Sequence, residues 1–308
     1  MIFILKYRYY NIEVTELDYI DYINYKLNGK YIGLKQSTNN SSDVNHIDFL
    51  TDDKVDVFYS TLYNIDEGLE KDYFILYFQP QYDLSNNKLI GVEALVRLKD
   101  KDGNLIPPKD FIPIAECTDR IIRLDQWIVK SALRHKKLWE DKGYKDIYLS
   151  INLSAKSLMD EINFKKILDI ITSFDINYNQ LVFEITETAI ISDPDLASKN
   201  LQSLKELGIN IALDDFGTGF SSISHLEKLP IDIVKFDRSF INKIPNNTKS
   251  CYILDAILKL SHNLGYIVVA EGIENINQLK YLASLNCDRG QGFFFSKPMP
   301  HTELLGLK

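Results

Sequence analysis

Five acidic residues and one lysine stand where short apolar runs end: Glu93 in "IGVEAL", Glu184 in "VFEITE", Asp214 and Asp215 in "IALDDFG", Lys235 in "IVKFD" and Glu271 in "VVAEG". Two amides, Asn152 in "LSINLS" and Gln291 in "RGQGF", occupy the same kind of place. Taken singly, an acid there is most simply a helix cap or a solvated loop residue. A whole series in one register is different, because carboxylates gathered at one end of a fold repel one another unless cations sit among them. Oxygen donors of this kind suit Mg2+ or Mn2+ and not zinc, which favours His and Cys. The five histidines fall outside the set and show no ligand spacing.

The adjacent pair Asp214 and Asp215 is the sharpest signal. Side chains alternate faces along a strand, so both cannot point to one side of it. One aspartate can bridge two ions while its neighbour, on the turn beyond the strand, binds only the second. Two ions ~3.5–4 Å apart clamp the attacking and leaving oxygens in phosphodiester cleavage. "GTGFSS" follows directly at residues 217–222 and reads as a loop coupled to the metals. Glu187, just beyond the "FEIT" strand, is either solvated or anchors that loop by hydrogen bonds. Lys235 is either a counter-ion or a group set over a phosphate oxygen.

The elements that must position these residues come from the pattern between them. "YFILYFQPQYDL" and "KLIGVEALVRL", joined by the turn-like "SNNK", predict a hairpin. Short apolar runs then alternate with helical stretches such as "DQWIVKSALRHKKLWEDKG", "PDLASKNLQSLKELG" and "SCYILDAILKLSHNLG". This alternation predicts βα units around a parallel sheet, and eight strand candidates favour a closed barrel whose strand ends converge on one face. Residues 1–68 read as an N-terminal segment of unknown function, a small regulatory module with a linker helix, and residues 69–308 as the barrel domain.

Composition narrows the classes further. The chain has 308 residues, 45% hydrophobic and 25% charged, enough for one large barrel and a small appendage. Its net charge of −8 argues against a nucleic-acid polymer as partner. No apolar run approaches the ~20 residues of a membrane helix, and "MIFIL" is interrupted by Lys6 too early for a signal peptide. Three scattered cysteines form no CxxC pair, which points to a reducing, cytoplasmic setting.

In order along the chain, "YFQP", "EALVRL", "INLS", "FEITET", "ALDDFGTGFSS", "LPIDIVKFDRSFI", "VAEGIE" and "QGFFFSKP" resemble the EAL-domain phosphodiesterases that hydrolyse cyclic di-GMP in bacteria. The likeness runs from roughly Asp72 to Pro300. It implies a modified TIM (β/α)8 barrel with an antiparallel first strand, and hydrolysis to linear pGpG with two Mg2+ or Mn2+ ions, Ca2+ inhibiting. By position, Glu93, Asn152, Glu184 and Asp214 would hold the first ion, and Asp214, Asp215 and Glu271 the second. Lys235 would position the attacking water, with Glu271 and Glu187 completing the catalytic set and Glu187 holding the "DFGTGFSS" loop. Gln79, Leu95, Arg97, Gln291 and Asp237 would contact substrate, with Glu274 nearby. The family also implies a homodimer through the barrel and a role in second-messenger signalling.

Departures are mild: Leu98 stands where Trp is frequent and Phe236 where Ile is common. No "GGDEF" string accompanies the motifs, so cyclase activity is not expected. Rival readings are a silent cyclic di-GMP receptor or scaffold, and an enolase-like barrel with one metal and a lysine base. The intact ligand set and Gly loop speak against the first, and Asp215 beside Asp214 against the second.

Overall fold

The computed structural model describes residues 52–187, 189, 193–216, 229–304 and 306. Most of the N-terminal segment (1–51) and the "GTGFSS" loop lie outside the described residues. The first described element, α1 (Asp52–Glu70), buries Tyr59, Leu62 and Ile65 at helical spacing. Asp66 pins it to the barrel through Arg120, whose Nε and Nη2 donate at 2.9–3.1 Å. Gly68 is needed for this seat, since a Cβ there would stand 2.7 Å from Leu98 Cδ1.

The chain then forms β1 (Phe74–Asp83), β2 (Leu89–Lys99), β3 (Leu105–Ile106), α2 (Pro108–Cys117) and α3 (Arg120–Asp141). Next come β4 (Tyr148–Asn152), α4 (Ala155–Met159), α5 (Glu161–Thr172), β5 (Leu181–Thr186), α6 (Pro194–Glu206) and β6 (Asn210–Phe216). The last third holds β7 (Ile233–Phe236), α7 (Arg238–Ile241), α8 (Thr248–Asn263), β8 (Ile267–Ala270), α9 (Ile276–Ser284), β9 (Arg289–Gly290), β10 (Met299–Pro300) and α10 (His301–Leu304).

The sheet closes. Strands β2, β4, β5, β6, β7, β8 and β9 are parallel neighbours in that order. β1 completes the ring antiparallel to both β2 and β9, as the short hairpin connection requires. The expected modified TIM barrel with its reversed first strand is therefore present.

Two apolar layers explain why a polar face survives inside. Outward-pointing Ile151, Phe183, Leu213, Val234 and Val268 pack beneath the helices. Inward-pointing Val182, Ala212, Ile233 and Val269, with Tyr148 and Ile267 beside them, fill the lumen from below. Because strand side chains repeat with period two, the next inward residues on those strands are Glu184, Asp214, Lys235 and Glu271. The polar residues are the layer above a packed plug.

Candidate active site

Lys235 sits at the centre of that layer, 1% exposed. Its Nζ lies 2.5 Å from Glu184 Oε2, 2.6 Å from Glu271 Oε1, 3.4 Å from Asp214 Oδ1 and 3.8 Å from Glu93 Oε2. Two amides complete the cluster. Asn152 Nδ2 donates to Glu93 Oε1 at 2.9 Å, and Gln291 Nε2 donates to Glu93 Oε2 at 2.7 Å and to Glu271 Oε1 at 3.1 Å. Gln81, which the sequence reading passed over, is 3% exposed and donates to Gln291 Oε1 at 2.9 Å. It could have been found, since Gln79 and Gln81 are two apart on one strand and must share a face.

Glu93 departs from the strand-end pattern. It lies in the middle of β2, opposite Gln79, and the strand continues past it. Leu95 and Arg97 therefore climb the same face toward the rim, opposite Tyr77 and Ile75. Arg97 lies 5.6 Å from the Tyr77 ring centre and donates to Val96 O at 2.8 Å. Gln79 is buried and donates to Ser296 O at 3.3 Å.

The aspartate pair is resolved by a bulge. The β6–β7 register shifts between Leu213 and Phe216, and Asp215 adopts φ 54°. The left-handed turn breaks the alternation, so Asp214 stays beside Lys235 while Asp215 emerges exposed at the rim. Asp215 N donates to Asp214 Oδ1 at 3.0 Å. Asp237 faces the same rim while capping α7 through Ser239 N at 2.8 Å. Glu187 is buried just after β5, but the loop assigned to it is not among the described residues. Glu274 is drawn outward to Arg238 at 2.5 Å.

Burial of so many acids moves their titration. Desolvation, offset by Lys235 but reinforced by the other carboxylates, raises Glu184 well above its ordinary value. For the same reasons Glu271 is pushed up to about 8. Burial would also raise Glu93, but the Lys235 charge and the Gln291 and Asn152 hydrogen bonds outweigh it and hold Glu93 below its usual range. Asp215 is raised by desolvation and by Asp214 and Asp237.

Four carboxylates thus face one ammonium, and part of their excess charge is held as protons. Among the described residues no three His, Cys, Asp or Glu close on a point as a finished metal cage, since Lys235 occupies the space between them. The donors are nevertheless all oxygens, more anionic than one lysine neutralises, and two of them are driven to bind protons. That chemistry fits divalent cations of the Mg2+ or Mn2+ kind.

A pH dependence follows. Glu271 binds its proton in the folded chain up to about 8, against 4.5 for the ordinary group. Its contribution to the stability of the cation-free protein is full below the lower value and lost as pH rises through the higher one. Cations and protons compete for the same oxygens, so Mg2+ will raise the melting temperature more at about pH 8 than at about pH 5. Thermal melts at both values, with Mg2+ and with chelator, check this; an equal shift at both would remove the competition.

The EAL domain model matches residues 63–298. Signaling protein YkoW of Bacillus subtilis (strain 168) is 42% identical over 234 residues, 76% of this chain and 29% of that protein. Cyclic di-GMP phosphodiesterase PdeR of Escherichia coli (strain K12) is 34% identical over 237 residues, 77% of this chain and 36% of that protein. The chain thus spans about a third of the length of these relatives. Among solved structures, the PaMucR phosphodiesterase in complex with c-di-GMP superposes with a TM-score of 0.76 at 34% identity, covering 80% of this chain and 99% of that one. The EAL domain protein from Listeria monocytogenes EGD-e gives a TM-score of 0.71 at 32% identity, covering 80% and 96%. The family match takes in every barrel strand from β1 to β9 and every residue of the Lys235 cluster, and the chain belongs to the EAL-domain family.

Proposed function

We propose that this chain hydrolyses one phosphodiester of cyclic di-GMP to linear pGpG, and so lowers that second messenger. The observation that carries the reading is the layer of Glu93, Glu184, Asp214 and Glu271, buried or half-buried around Lys235, with Asp215 added at the rim by the bulge. Glu93, Asn152, Glu184 and Asp214 would hold one cation, and Asp214, Asp215 and Glu271 a second. Bound there, divalent cations supply Lewis-acid neutralisation of phosphate charge.

The chain's own groups do the rest. The apolar plug below the cluster excludes water from one side and keeps the local dielectric low, which strengthens each charge–charge contact. Lys235 Nζ keeps the carboxylates together and holds the attacking water by donating to its oxygen. Arg97 is suited to a charge-assisted contact with a phosphate oxygen; Gln79, Leu95, Gln291 and Asp237 line the path to it. Glu187 holds the loop after β6. A cytoplasmic location and a homodimer through the barrel belong to the same proposal.

The test is incubation of the purified chain with cyclic di-GMP and Mg2+ or Mn2+, following pGpG. Chelator is expected to abolish the reaction and either cation to restore it. Ca2+ is expected to bind and inhibit, because its looser coordination misplaces the reacting oxygens. Full activity in excess chelator would overturn the two-cation reading. Tight binding of the dinucleotide with no product under either cation would transfer the chain to the receptor class.

A further inference from the structure

Asn152 ends β4 with its amide on Glu93, and the two residues after it are tied from opposite sides. On the barrel side, Leu153 N donates to Glu184 O at 2.9 Å. On the helix side, Ser154 reaches Asp125 of α3, whose Oδ2 accepts from the Ser154 hydroxyl at 2.5 Å and from its backbone N–H at 3.2 Å. Ser154 Oγ in turn accepts from Ser157 N at 3.2 Å and starts α4.

Asp125 is an unusual residue to find there. It is 3% exposed, on the helix face that also buries Ile121, Leu124, Ile128 and Val129. Among the described residues no ion pair is formed by it, so its burial is supported by hydrogen bonds to one short loop. Desolvation pushes it up to about 6, against the Ser154 hydrogen bonds that favour its charged form. An aliphatic residue would pack on that face with no such cost. What the carboxylate adds is a fixed place for the loop behind Asn152.

We propose that Asp125 is a positioning residue: through Ser154 it fixes the β4–α4 loop and thereby the place of the Asn152 side chain beside Glu93. The proposal rests on the reading of the cluster as a cation site. Groups that orient a ligand from behind commonly change affinity or activity by about 10- to 100-fold when removed.

The test is Mn2+ titration of the cation-free full chain by calorimetry, with turnover measured alongside. Asp125→Ala is expected to weaken Mn2+ binding by about 10-fold or more and to lower kcat with little change in KM. Ser154→Ala, which removes the shorter hydrogen bond to Asp125 together with the cap on Ser157 N but leaves the backbone bond to Asp125, is expected to shift affinity in the same direction by less, and carries the test should Asp125→Ala fail to fold. Asp125→Asn keeps an acceptor for Ser154 and is expected to retain affinity near that of the natural chain. Ile167→Ala, in the core of α5, is the control: it should lower the melting temperature and leave Mn2+ affinity alone. A folded Asp125→Ala, or failing that Ser154→Ala, with reduced melting temperature but unchanged affinity would show a merely structural contact and overturn the proposal. Failure of the natural chain to bind Mn2+ at all would instead retire the cation site itself, and this inference with it.

Discussion

Replacing Lys235 by methionine is expected to abolish hydrolysis and to cost the cation-free protein a large part of its stability. Methionine keeps the length and apolar stem but leaves Glu93, Glu184, Asp214 and Glu271 without the ammonium that now contacts all four. Removing one partner from a buried charge cluster costs about 3–5 kcal/mol, because the remaining charges stay desolvated and unpaired. Turnover should fall by about 10²–10³-fold or more, the usual scale for losing one preorganised electrostatic group. Recovery identifies the cause. Acidification should restore stability by protonating Glu184 and Glu271, whose raised folded values rise further once the lysine is gone, and Mg2+ should restore it at higher pH by replacing the missing charge. Thermal melts of Lys235→Met across pH, with and without Mg2+, read this directly. A melting temperature equal to that of the natural chain at neutral pH without cations would show that Lys235 is not the counter-ion of the cluster.

The second large effect separates the adjacent aspartates. Asp214→Asn removes charge from the position proposed to serve both cations, so calorimetric titration with Mn2+ should find no tight site and turnover should collapse. Asp215→Asn should keep one tight site, built from Glu93, Asn152, Glu184 and Asp214, and still lose most turnover. The backbone makes this comparison clean: Asp215 has φ 54°, a conformation that asparagine tolerates as readily as aspartate. If Asp215 merely capped the following loop, its loss would cost only ~1 kcal/mol of stability and leave kinetics near normal. Near-normal turnover in a well-folded Asp215→Asn would retire the two-cation mechanism.

Much of this arrangement was legible because central strands of a parallel barrel are buried on both faces and read as apolar runs. The first polar residue in "VFE", "IVK" or "VVAE" therefore marks the layer above the plug. What was not legible is what strand length and docking decide. Glu93 looked like the others, but β2 runs on to Lys99, and nothing in "EALVRLK" says where the strand leaves the barrel. The sequence left Lys235 open between counter-ion and catalytic group; only the closed barrel, which sets β2 across from β5, β6, β7 and β8, brings its Nζ to four carboxylates at once. The Asp214–Asp215 pair announced two destinations, yet the bulge that separates them depends on how β6 is offset against β7. Asp125 was silent, because a lone acid in an amphipathic helix reads as part of the solvated face until α3 is packed onto β4.

The apolar plug beneath Lys235 has a consequence for traffic. Val182, Ala212, Ile233 and Val269 pack together across the lumen, so among the described residues the cluster is closed from below and faces the rim where Asp215 stands. Under the proposed reaction, substrate arrives and product departs through the same aperture. Linear pGpG, bearing a new terminal phosphate that the proposed bound cations would attract, must vacate that rim before the next molecule can enter. Product should therefore compete with substrate outright, and the rate at which pGpG lets go would set a ceiling on how fast the signal can be cleared.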